Sequence, residues 1–401
     1  MSVAPARAAR RRALERHYYL DEQRYRQELT AIWRRSWLYV APSCEIAAPG
    51  AFRRLELCGD PVVVVRGLDG TLGALHNVCR HRGSIVVTEQ AGRAERLVCP
   101  YHHWTYGLNG EALSCPGLDE RAGRDALGLV AIEVREVAGL VFLCLGEAPP
   151  IEEMAAELTE AARRQGLERA RVAARRTYRV GANWKLVLEN NRECLHCVAN
   201  HPEYVRSNFD RYDTASARRA GLAEALARHG DALGDAGAFL AEGGLAAFPD
   251  ESGRWWSANR SALRAAFLTE SLDGRPVAPV MGEYAARDVG TLRLRSLPNF
   301  WCHASADHAV VTRLLPLGID ATEAEVTWLV DAEAEEGRDY DLDDLTAFWA
   351  RTSEQDWLIC ERQQAGVSSS AYRPGPLSSE HEANVAHLLD WYLERLGEAP
   401  G

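Results

Sequence analysis

No stretch of this sequence approaches the roughly eighteen consecutive apolar residues of a membrane-spanning helix, and its opening residues lack the apolar core of a secretory signal. The expectation is a soluble, cytoplasmic protein. Positive charge is also in short supply, with 46 Lys and Arg against 57 Asp and Glu and a net charge of −11. Such a surface suits nucleic acid poorly, because phosphate binding calls for clustered cations, whereas a cationic small molecule is compatible with it. The ten cysteines lack the even spacing of a secreted disulfide scaffold, so most are expected to be reduced and buried. There is no internal repeat and no flavin or dinucleotide fingerprint, so any redox chemistry must take its electrons from another protein. The Arg- and Ala-rich start, MSVAPARAARRRALER, shares the composition of the rest of the chain and reads as a frayed arm rather than a transit peptide.

What is present points to an α+β chain. Its 401 residues, 47% hydrophobic, are enough for two domains with separate cores. We expect an N-terminal helical arm over 1–36, with an amphipathic helix at 17–36, then an all-β domain over 37–148 in which runs such as PVVVVRG and VAGLVFLCLG alternate with turns. The proline break at 148–150 opens a third region, 149–401. There the patterns predict helices at 151–166, 184–199, 216–230, 341–365 and 380–396 around an antiparallel sheet built from ARVAARRTYRV, GTLRLRSLPNFWCHA, HAVVTRLLPLG and EAEVTWLVDA. The segment 213–285 has the least clear pattern and is expected to form a lid or a substrate-facing insertion.

Two short motifs carry metal chemistry. Cys79-Arg-His81 and Cys99-Pro-Tyr-His102 lie seventeen residues apart, each offering one thiolate and one imidazole from a turn rich in Gly, Asn or Pro. Two Cys and two His could hold tetrahedral zinc, but structural zinc sites usually pair cysteines two to four residues apart. A [2Fe–2S] cluster with cysteines on one iron and histidines on the other needs this mixed set. The two-residue gap after Cys99 selects His102 and leaves His103 outside the ligand set. Trp104 and Tyr106 are expected as apolar cover. This stretch resembles the Rieske iron–sulfur domain.

The second motif, Glu193-x2-His196-x4-His201, lies in NWKLVLENNRECLHCVANHPEY. Two neutral imidazoles and a carboxylate on one face of iron are the ligand set of oxygen-activating non-haem enzymes. Helical spacing puts Glu193 and His196 on one face, and His201 requires the helix to loosen near Asn200, where Pro202 is placed to stop it. Cys194 and Cys197 form a CxxC that invites a redox or zinc reading, but no second CxxC and no thioredoxin-like pattern accompanies it. The distant carboxylate is sought in TSEQDWLICERQQAG, where Asp356 is expected to begin a helix and Glu354 and Glu361 compete with it.

Together the motifs resemble the oxygenase α-subunit of the Rieske non-haem iron ring-hydroxylating family over nearly the whole chain. The resemblance implies a cluster on Cys79, His81, Cys99 and His102, a mononuclear Fe(II) on His196, His201 and Asp356, O2 as co-substrate, and NAD(P)H electrons delivered by a separate reductase. It also implies a homotrimer, with doubling left open, in which Glu193 links His196 to His102 of a neighbouring subunit. Glu rather than Asp at 193, and the segments NWKLVLENNRECLHC, WLVDAEAEEGRDYDLDDLTAFW and YRPGPLSSEHE, resemble the glycine betaine, stachydrine and carnitine subgroup. This implies N-demethylation of a quaternary ammonium with release of formaldehyde. Aromatics available for such a cation are Trp255, Trp256, Phe267, Phe300, Trp301 and Tyr204, each more often core than cage. Two other readings stay open: a Rieske oxygenase acting on a natural-product intermediate or aromatic ring, and an electron-carrier ferredoxin with an inert C-terminal domain.

Overall fold

The computed structural model describes residues 12–118, 124–209, 220–241 and 254–399. The chain divides into two compact units, one formed by Arg34–Ile151 and the other by the segments before and after it.

The first unit contains β1 (Leu38–Pro42), β2 (Ala51–Leu57), β3 (Asp60–Arg66), β4 (Leu72–His76), β5 (Ala91–Arg93), β6 (Leu97–Val98), β7 (Thr105–Tyr106), β8 (Ala112–Ser114), β9 (Glu133–Val137) and β10 (Leu140–Cys144). They form three antiparallel sheets in the orders β1-β10-β9, β4-β3-β2-β5 and β6-β7-β8. Val62 to Val65 of β3 are all buried, as a continuous β-branched run in a central strand should be. Cys58 and Gly59, both at positive φ, make the two-residue turn that fixes the β2–β3 register.

The second unit carries α1 (His17–Leu20), α2 (Glu22–Ala31), α3 (Glu152–Ala162), α4 (Trp184–Asn191), α5 (Cys197–Asn200), α6 (Pro202–Ser207), α7 (Leu222–Leu233), α8 (Leu342–Ser368) and α9 (Ala383–Arg395). Its sheet holds β11 (Ala170–Val180), β12 (Leu240–Ala241), β13 (Trp256–Ser261), β14 (Thr291–Ser296), β15 (Phe300–Ala304), β16 (Ala309–Gly318) and β17 (Ala321–Asp331), ordered β11-β17-β16-β15-β14-β13-β12. Every pairing is antiparallel except the short β12–β13 edge, which is parallel. The long α8 begins at Asp341, whose carboxylate accepts from the N–H groups of Asp343 and Asp344, and packs against α4, α6 and β11.

Two local expectations change. The single helix over 17–36 is two helices and a 3-10 turn at Trp33–Arg35, because Asp21 is extended and its side chain caps a new start at Glu22. These helices belong with the C-terminal segment: Glu28, fully buried, accepts from Trp184 Nε1 at 2.8 Å, Lys185 Nζ at 2.6 Å and the Tyr392 hydroxyl at 2.6 Å. The helix expected at 184–199 stops at Asn191, and Glu193 to His196 form a turn. Helical structure does end at Asn200, as expected, and Pro202 then starts α6, since its missing N–H costs nothing in the first turn. Of the segment 213–285, residues 213–219 and 242–253 lie outside the described residues. The rest supplies α7, β12, β13 and a long loop. Among the described residues, no helix is long and apolar enough to cross a membrane.

Candidate functional site

In the first unit, Cys79, His81, Cys99 and His102 come together at the tips of two loops of the same design. Cys79 N–H donates to Ser84 O and Gly83 N–H to Cys79 O; Cys99 N–H donates to Trp104 O and His103 N–H to Cys99 O, all at 2.8–3.0 Å. Gly83 (φ +75°) and His103 (φ +58°) therefore occupy equivalent left-handed positions. The His103 backbone N–H thus closes the loop, and its ring is exposed.

The two cysteines are buried, while His81 is exposed and His102 half-buried. The imidazoles face each other, Nδ1 to Nδ1 at 3.2 Å. Burial pushes the Cys99 thiol up, but the N–H groups of Tyr101 and His102 and the nearby Cys79 outweigh it and hold the pKa below the ordinary thiol value. Trp104 stacks on His81 at 4.9 Å, as cover. Tyr106 does more than cover: its hydroxyl accepts from Arg80 N–H at 3.1 Å and points at Cys79 Sγ, 3.2 Å away. Hydrogen bonds to cluster sulfur tune the reduction potential.

In the second unit, the turn after α4 and the interior of α8 bring His196, His201 and Asp356 together. Asp356 Oδ1 lies 2.9 Å from His201 Nε2 and 3.2 Å from His196 Nε2. Asp356 sits midway along α8 rather than at a helix start, so helix geometry holds it firmly. The rival carboxylates are engaged elsewhere: Glu361 accepts from Gly181 N–H at 3.0 Å, and Glu354 lies 3.7 Å from Arg176. Each imidazole is oriented from behind. His196 Nδ1 donates to Glu193 Oε1 at 2.5 Å, and His201 Nδ1 donates to Gln355 Oε1 at 2.6 Å, leaving both Nε2 atoms aimed inward. Gln355 escaped sequence reasoning; its one signal was adjacency to Asp356.

The electrostatics agree. Burial pushes the His196 pKa down, but hydrogen bonds to Asp356 and Glu193 outweigh it and raise it to about 9; His201 is raised by Asp356 in the same way. Burial pushes Asp356 up, yet its bonds to both imidazoles hold it below the ordinary carboxylate value. Two nitrogens and one carboxylate oxygen converging on one point, each braced from outside, fit a divalent metal and leave one side open. His196, Cys197 and His201 also lie within metal-binding reach of one another. Cys197, however, is joined to Cys194 by a disulfide, with Cα atoms 5.0 Å apart, so its sulfur is no thiolate donor; the other eight cysteines are free and six of them are buried.

The residues face one common cavity. Of the six aromatics singled out from sequence, only Tyr204 lines it; Trp349 of α8, unremarked in the sequence, lines it too. Arg293, Arg295 and His303 complete the sheet-side wall. None of the described residues of 213–285 does so.

Residues 36–134 match the Rieske [2Fe-2S] domain, and residues 167–398 match the catalytic domain of the ring hydroxylating alpha subunit family. The chain belongs to this family: it is a Rieske-type non-haem iron oxygenase, an oxidoreductase whose cofactors are a [2Fe–2S] cluster and iron. Among its relatives is the glycine betaine monooxygenase oxygenase subunit of Chromohalobacter salexigens, 37% identical over 396 residues, covering 97% of this chain and 88% of the relative. The subunit of the same name from Pseudomonas aeruginosa is 36% identical over 391 residues, covering 96% and 89%. A crystal structure of a quaternary ammonium Rieske monooxygenase in complex with L-carnitine shares the fold, with a TM-score of 0.70 at 22% identity over 95% of each chain.

Proposed function

We propose that this oxygenase N-demethylates a betaine-like quaternary ammonium compound. The observation that carries the reading is identity of 36–37% to glycine betaine monooxygenase oxygenase subunits over both units of the chain. In this reading His196, His201 and Asp356 hold the mononuclear iron, and Cys79, His81, Cys99 and His102 hold the cluster.

When bound, the iron supplies oxygen activation, and the cluster supplies electrons one at a time. The net change is balanced: an N–CH3 group, O2, two electrons and two protons give N–CH2OH and water, and the carbinol collapses to formaldehyde, the tertiary amine and a proton. Glu193 and Gln355 keep the Nδ1 protons of their imidazoles in place, so that both Nε2 lone pairs stay turned toward the metal. The Tyr106 hydroxyl steadies the Cys79 sulfur. In a homotrimer the half-exposed His102 would meet Glu193 of a neighbouring subunit, whose carboxylate, hydrogen-bonded to His196, would bridge the two metal sites for electron transfer without itself being reduced. A separate NAD(P)H-dependent reductase completes the system.

The test is formaldehyde release from iron-loaded enzyme and reductase with glycine betaine, proline betaine and carnitine. Substrate-dependent formaldehyde supports the reading. Oxygen incorporation without methyl loss, seen by mass spectrometry with another substrate while these three remain inert, replaces it with the other Rieske oxygenase activity.

A further inference from the structure

One wall of the cavity, formed by β14, is unusual for the interior of a sheet. Arg293 and Arg295 are two apart on β14, so they project from the same face, while Leu292 and Leu294 take the other. Both arginines are almost completely buried, at 1% and 2% exposure, and both line the cavity. Across the pairing, Arg293 stands opposite His303, whose ring also faces the cavity. Arg293 Nη2 donates to Asn208 Oδ1 at 2.9 Å, and Arg295 Nη1 approaches Asn259 Oδ1 at 3.4 Å. The buried carboxylate on this side, Glu270, stays 3.9 Å from Arg293 and accepts from Trp349 Nε1 at 3.2 Å.

Two guanidinium groups face the cavity on this side, with the Glu270 carboxylate set 3.9 Å from Arg293 and 3.5 Å from His303. Burial, then the charge of Arg293, pushes the His303 pKa down to about 4, so its ring is neutral. Burial, then the charge of Arg295, also lowers the fully buried Arg192. Guanidinium groups recognise carboxylates through parallel N–H donors, and a desolvated site strengthens that contact. The same cavity carries Tyr204 and Trp349, whose rings meet edge to face at 6.2 Å. Aromatic faces are what a trimethylammonium group, with no hydrogen-bond donor, can use.

Resting on the quaternary ammonium reading of the site, we propose that Arg293 and Arg295 form a carboxylate-recognition end, so that the enzyme takes zwitterionic betaines and discriminates against quaternary ammonium cations lacking a carboxylate. Glycine betaine and choline differ at that group alone, carboxylate against hydroxymethyl, and are the probes.

Equilibrium binding to the metal-loaded protein, followed by calorimetry, provides the test. The wild type should bind glycine betaine at least about tenfold more tightly than choline, the worth of a charge-assisted hydrogen bond. Arg295→Gln should weaken glycine betaine by about tenfold or more and leave choline within about twofold, and Arg295→Lys should recover part of the loss. Equal affinity for the two ligands in the wild type overturns the proposal without any variant. So does glycine betaine binding that Arg295→Gln leaves unchanged, or a loss shared equally by both ligands. Binding of neither ligand to the wild type defeats the quaternary ammonium reading, and the clamp with it, whereas tight but indiscriminate binding defeats the clamp alone.

Discussion

Glu193 and His196 are joined by a 2.5 Å hydrogen bond from imidazole Nδ1 to carboxylate Oε1, across a turn rather than along a helix. The other carboxylate oxygen accepts from Leu195 N–H, so the side chain is held at both ends. Glu193→Gln keeps a polar group at this position but removes the charge. Both metals should remain, while multiple-turnover formaldehyde production falls by at least about a hundredfold, the scale of a lost electrostatic group at a catalytic centre. Metal analysis and turnover measured on the same preparation decide it, and normal turnover removes Glu193 from the electron path.

Asp356→Ala should reduce the iron content to that of the cluster alone. The Rieske absorption should be unchanged, because the cluster residues belong to a separate unit. Retention of mononuclear iron in this variant would show that the carboxylate ligand lies elsewhere.

Gln355→Leu tests the support behind His201. Its Oε1 accepts from the imidazole Nδ1 at 2.6 Å, and loss of such a partner typically weakens metal affinity by about 10–100-fold. Competition for iron against a chelator measures this. An unchanged affinity would mean that burial alone orients the ring.

The metal motifs differ in how far sequence could reach. Cys79 to His102 was readable because all four residues lie in two adjacent loops with diagnostic spacing. His196 and His201 were readable as a pair, but the helix supposed to carry them breaks at Arg192, where spacing gave no warning. Asp356 is 155 positions from His201, and only the family resemblance singled it out from Glu354 and Glu361. The cavity wall was not legible at all. Arg293, Arg295 and Trp349 read as ordinary members of a strand and a helix until β14 and α8 are packed around one space.

The pH behaviour of the metal-free protein follows from His196. Its pKa is raised to about 9 by Asp356 and Glu193, above the ordinary 6.5, so the charged imidazole contributes stability that is complete below about pH 6.5 and lost as pH rises through about 9. In the proposed site, iron would take the place of that proton. The gain in Tm on adding iron should therefore grow between pH 6.5 and 9, and a gain that is flat across this window contradicts the network.

Glu28→Ala leaves Lys185 charged and buried, and should destabilise the second unit by about 3–5 kcal/mol. Denaturant unfolding monitored by tryptophan fluorescence reads this, since Trp184 loses its Nε1 acceptor in the same variant.

The bond between Glu28 and Tyr392 spans 364 positions, and it gives the chain a timetable. The first helices leave the ribosome long before their partners exist, the segment Arg34–Ile151 is completed next, and α9 arrives almost at the end. Domains fold as units while synthesis proceeds. The unit that carries Cys79, His81, Cys99 and His102 can thus be complete before Asp356 has been synthesised.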